Sequence, residues 1–109
     1  MSDERAAGQA LLDELVAGLP GITRSPMFGS SGARRTGVLF AFVGRDGALI
    51  VRLPWAHAEV VKEQERAHDV RMGGGVAREW VGVPLPVEGD DATWRELLSA
   101  AYTHAEKTG

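Results

Sequence analysis

The stretch VLFAFVGRDGALIVRLP, Val38 to Pro54, decides the fold. Its first six residues are apolar on every side, and glycines at 37 and 44 bound them. A run that short, rich in Val and Phe, fits a central strand better than a helix. Gly44-Arg45-Asp46-Gly47 then supplies the Asp-Gly chemistry of a tight turn. Ala48 to Leu53 returns as the hairpin partner, with Leu49, Val51 and Leu53 sharing a face.

On the N-terminal side of this hairpin, Ile22 to Phe28 reads as a short strand, and Pro26 places it at an edge or a bulge. The segment RSPMFGSSGARRTG, Arg24 to Gly37, holds three glycines and three arginines, and its small residues read as a wide turn between strands. A first helix starts at Ser2 as N-cap, with Asp3 and Glu4 set against the positive end of the dipole. Ala7, Leu11, Leu12, Leu15, Val16 and Leu19 make its apolar stripe, and Gly18 with Pro20-Gly21 stops it.

On the C-terminal side, Pro54 suits the first turn of a helix from Trp55 to about Arg66, whose apolar face is narrow. His68 to Met72 and Arg78 to Leu85 form a second hairpin around Gly73-Gly74-Gly75, ended by Pro84 and Pro86. Asp90 or Asp91, or the capping-box pattern of Thr93 to Glu96, opens a last helix. Its stripe, Trp94, Leu97, Leu98, Ala101 and Ala105, is the cleanest in the chain. The order α-β-β-β-α-β-β-α implies one α+β domain over residues 1–109, with two layers: helices on one side of a five-stranded antiparallel sheet. Either Ile22 to Phe28 or Arg78 to Leu85 is expected at an unpaired edge, where a homodimer by sheet extension is one option.

Composition narrows function. The chain is 44% hydrophobic and 25% charged, which is globular rather than disordered. It has no cysteine, which removes disulfides and thiol nucleophiles and suits a reducing cytoplasm. No apolar run approaches the ~20 residues of a membrane span. The start, MSDERAAGQALLDEL, is acidic rather than basic, unlike a secretion signal. Net charge is −3, yet residues 22–54 hold five arginines against one aspartate, while residues 79–109 carry six acids against two cations. Arg24, Arg34, Arg35 and Arg45 are therefore candidates for a nucleic-acid contact, ranked second because the whole chain is acidic.

Candidate chemistry is sparse. Gly29, Ser30, Ser31 and Gly32, with Arg34 and Arg35 beside them, are the candidate cradle for an anion or small ligand. No Walker pattern supports it, because a strand follows and no Lys stands in place. His57, His68 and His104 are far apart, so no metal and no cofactor is expected. No G-x-S-x-G elbow and no paired-carboxylate constellation is present, which points to a non-enzymatic protein. Trp94 lies on an apolar stripe and reads as core. Trp55, and Trp80 next to Arg78, sit beside less apolar neighbours and are the candidate aromatic contacts for a protein partner.

An ordered set of motifs runs through the chain: Met27-Phe28-Gly29, Gly37, Phe40-Ala41, Leu53-Pro54, Arg71-Met72, Glu79-Trp80-Val81, Pro84, Trp94, Leu97-Leu98 and Ala101-Tyr102. In that order and spacing, over about residues 5 to 106, the chain resembles the TfoX N-terminal domain family. The resemblance implies a two-layer α+β fold of secretion-chaperone-like form, α-β3-α-β2-α. It also implies a regulatory or protein-interaction role, since members include regulators of DNA uptake competence. The chain stops soon after its last helix, so the second, helical domain of those regulators is not expected. Where many relatives have Gly-Lys, this chain reads Gly37-Val38-Leu39, so no cation is available there. The motif glycines and aromatics look like fold determinants rather than catalysts.

Overall fold

In the computed structural model, residues 3–27, 30–87 and 89–108 are described. The elements run α1 (Asp3–Val16), β1 (Ile22–Met27), β2 (Ser30–Arg35), β3 (Val38–Val43), β4 (Leu49–Arg52), α2 (Trp55–Glu63), β5 (His68–Met72), β6 (Gly75–Val83) and α3 (Ala92–Thr108). The strands form one antiparallel sheet in the order β1-β2-β3-β4-β6-β5. Side chains from all three helices join one buried cluster with one face of this sheet. The α+β class and the two layers thus hold. The expected Ser2 cap and the Phe28-Gly29 pair lie outside the described residues.

The strand count is six rather than five, because the segment read as a wide turn contains strand β2. Ser30–Arg35 pairs with β1 along its whole length, from Ile22–Arg35 to Met27–Ser30, and with β3 from Ala33 onward. Backbone pairing on both sides outweighs the weak strand preference of Ser and Gly. A second correction concerns the edges. β6, expected as a possible edge, lies between β4 and β5, so the free edges are β1 and β5. The last turn expected in the second helix, to Arg66, is also absent, since α2 ends at Glu63.

The double-sided apolarity of VLFAFV has a geometric cause. Ala33 pairs with Ala41 but Arg34 with Leu39, leaving Phe40 as an extra residue on β3. This bulge resets the alternation. Val38 and Phe40 before it, and Ala41 and Val43 after it, all join the helix-side cluster, while Leu39 and Phe42 belong to the opposite face. Phe40 is met edge-on by Tyr102 of α3, with ring centroids 5.9 Å apart. Trp94 is buried at the start of α3, and its indole Nε1–H donates to the Pro84 carbonyl at 2.8 Å, which fixes α3 against the end of β6.

Two backbone features are set by single residues. α1 lies directly on the β3–β4 turn: a Cβ on Gly8 would strike the Gly47 carbonyl, and one on Gly47, at φ +83°, would strike the Glu4 carbonyl. Helix α2 ends in a Schellman arrangement, with Glu65 N–H donating to Lys62 C=O and Arg66 N–H to Val61 C=O, both at 3.0 Å. The residue in the left-handed position is Glu65, at φ +59°, where glycine is the favoured residue.

Replacing Glu65→Gly is expected to stabilise the fold by about 1 kcal/mol, a Tm rise of roughly 4–8 °C in a domain of this size. Gly47→Ala is expected to destabilise it by about 2–4 kcal/mol, since both contact and conformation oppose a side chain. Thermal and urea unfolding followed by circular dichroism measure both.

Candidate functional site

With all three helices on one side, the other face of the sheet is open to whatever surrounds the molecule. Antiparallel register sets what stands on it, because residues directly opposite share a face. Phe42 pairs with Ile50, Ile50 with Gly82, and Gly82 with His68. One row therefore crosses four strands, with the His68 ring in the space a Gly82 side chain would need. Beside this row the Phe42 and Trp80 rings lie 5.6 Å apart at a tilted angle. Leu39, Val70 and Met72 complete the patch, and they leave Phe42 only 9% and Ile50 only 7% exposed.

Between these side chains lies a concavity of about 580 Å³, walled by Leu39, Phe42, Ile50, Val70, Met72 and Trp80. Gly44, Arg71 and Gly73 complete its wall, Arg71 being the only charged residue there. Its size and lining are those of a preformed pocket for an apolar group.

The arginines and tryptophans singled out in the sequence do not converge. Trp80 stands in the apolar patch of the open face. Trp55, 53% exposed, stands at the start of α2 with the Arg78 guanidinium 5.9 Å from its ring centroid. Arg24 and Arg35 pair with Ala33 and Ile22, residues of the helix-side cluster. Arg24 donates to Asp13 of α1 at 2.7 Å and to the Ser31 and Gly32 carbonyls. Arg35 lies 3.8 Å over the Tyr102 ring, donates to the Tyr102 carbonyl and has Glu106 at 3.6 Å. Arg34 donates to Gly37 C=O across the β2–β3 turn. Arg52 pairs with Glu79 at 3.1 Å. The positive segment of the sequence is thus dispersed into intramolecular contacts rather than gathered on one surface.

The described part of the Gly29 to Gly32 stretch, read as a candidate anion cradle, is placed as follows. Ser30–Gly32 is strand, and the Ser31 N–H is already taken by the Gln9 side chain at 2.9 Å. Gly29 lies outside the described residues. Among the described residues no group of three or more His, Asp or Glu is placed to hold a metal, and no helix is long and apolar enough to cross a membrane.

Sequence reading identified Trp80 but missed its neighbours. The signal was present: β3 and β4 are apolar at consecutive positions, so in a sheet covered on one side some of those residues must face outward. Comparison with protein-family models, with curated proteins and with solved structures finds no match.

Two ionisable groups are shifted. Asp69 foremost, with Glu59, holds the Lys62 ammonium above its ordinary pKa. Burial foremost, with the Arg52 charge nearby, holds His104 of α3 below 6.5. Because the unfolded chain takes up a proton at His104 more readily than the folded one, stability falls as pH drops through 6.5 toward the folded value. His104→Gln is expected to flatten that part of the stability–pH curve while leaving pH 8 stability nearly unchanged, as measured by urea melts at a series of pH values.

Proposed function

We propose that this protein is a small non-enzymatic protein-interaction module whose helix-free sheet face receives an apolar side chain of a partner. One observation carries the reading: a preformed apolar concavity, walled by Phe42, Trp80 and Met72, on the side of the sheet that no helix covers. Aromatic residues and Met are enriched at interface centres, and apolar patches of this kind mark interaction sites on soluble proteins. Nucleic-acid binding is supported less, since Arg24, Arg35 and Arg52 each face a carboxylate that a phosphate would have to displace.

The resemblance to the TfoX N-terminal domain family belongs to this proposal, and so do a regulatory role and a cytoplasmic location. What supports the resemblance is the use of its motif residues: Phe40, Ala41, Leu53, Trp94 and Leu97 are core, and Gly37 sits in a turn at φ +83°.

Affinity capture from an extract of the source cells tests the reading. The wild-type chain is expected to retain a partner that Leu39→Glu, on the open face, releases at least about tenfold. Val87→Glu, at a position 80% exposed outside that patch, is expected to retain it. Capture of nothing, or equal capture by both variants, overturns the proposal.

A further inference from the structure

The two edges of the sheet are not equivalent. β1 carries Pro26, which lacks an amide donor, and the Arg24 side chain folds back onto β2 and α1. β5 has no proline and runs His68-Asp69-Val70-Arg71-Met72. The turn joining it to β6 has two residues, Gly73 at φ +60° and Gly74 at φ +89°, with Met72 opposite Gly75. In such a turn the flanking residues form the hydrogen-bonded pair, so Met72 bonds inward and Arg71, one residue earlier, directs its N–H and C=O away from the sheet. The β5–β6 register shifts between Asp69 and Val70, with the extra residues on β6; His68, Val70 and Met72 all stand on the open face, so β5 keeps its alternation and Asp69 has the parity of Arg71.

The geometry points to β5 as a self-complementary edge that joins a second copy of this chain in a two-fold dimer with a continuous sheet. An antiparallel β5–β5 pair centred on Val70 is the register that uses the whole strand. It sets Val70 against Val70 of the second copy, Asp69 against its Arg71 and Arg71 against its Asp69. The strand therefore carries its own charge complement, one acid and one base placed symmetrically about its central residue. Both are exposed, and among the described residues no ion pair forms at Arg71. Asp69 holds Lys62 at 2.9 Å, and Lys62 keeps Glu59 at 3.2 Å when Asp69 turns to the second copy.

On the open face the same register sets Met72 against His68 of the second copy. Val70 and Met72 wall the apolar concavity, so pairing extends each concavity with a residue from the other chain and brings the two onto one side of a twelve-stranded sheet. This inference stands on the edge and its charges, independently of what the concavity binds.

Sedimentation velocity across the micromolar range is the test, using the full chain. The wild type is expected to show a concentration-dependent monomer–dimer equilibrium. Arg71→Asp and Asp69→Arg each replace two cross-strand attractions by two repulsions, and each is expected to weaken the dimer about tenfold. The double variant carrying both substitutions restores opposite charges and is expected to return the dimer to within about threefold of wild type. Arg71→Pro removes an outward N–H without touching a bond to β6, and is expected to abolish dimerisation while circular dichroism shows the fold unchanged. A wild type that stays monomeric, a dimer indifferent to the single variants, or a double variant that fails to recover overturns the inference.

Discussion

A six-stranded sheet whose three helices all pack on one face has to leave the other face without a layer of its own. Most of what distinguishes this molecule follows from that asymmetry. The central strands β3 and β4 are apolar at nearly every position, and six of those side chains join the helix-side cluster. The other three, Leu39, Phe42 and Ile50, have no helix over them and are covered by Val70, Met72 and Trp80. Burying an apolar side chain against its neighbours on a sheet recovers a fraction of what a complete second layer would give. The free energy left unrealised on this face is what suits it to the binding role proposed for it.

The asymmetry persists because the helix side is tightly fitted. α1 reaches the sheet backbone to backbone at Gly8 and Gly47, an approach that any side chain would prevent. The Phe40 bulge sends Phe40 and Ala41 into the same core instead of alternating them across the sheet. The arginines of the N-terminal half serve this fit. Arg24 ties β1 and β2 to α1, and Arg35 ties β2 to the last turns of α3 through Tyr102 and Glu106. Cations that looked like a ligand-binding cluster in the sequence are spread through the layer contact, each close to a carbonyl or carboxylate it satisfies.

The helices were legible because Leu12, Val16, Trp94, Leu97 and Ala101 recur at helical spacing and are buried together. The central hairpin was legible for a similar reason: apolar runs flank an Asp-Gly turn. Strand β2 was not legible. SSGARR has a single buried apolar side chain, Ala33, and owes its conformation to hairpin ladders on both sides, whose backbone bonds leave no apolar periodicity in the segment itself. The identity of the edges was equally hidden, since the chain passes from β4 through α2 to the outer strand β5 and only then returns as β6 between them, which no composition signal encodes. Of the face proposed to bind, Trp80 could be read, while the residues around it needed the register.

The contrast between β1 and β5 bears on how such a sheet avoids promiscuous pairing. Proteins blunt exposed edges with proline, charge or covering side chains. β1 uses proline and a folded-back arginine. β5 uses charge, but charge of both signs placed two residues apart, which repels most strands and matches its own reverse. At the same end of the molecule, α2 stops in a left-handed cap at Glu65 and Lys62 draws Asp69 toward the helix. The chain passes from that cap into β5 within a few residues. Edge and face share the residues Val70 and Met72, and for that reason whatever pairs with one must alter the boundary of the other.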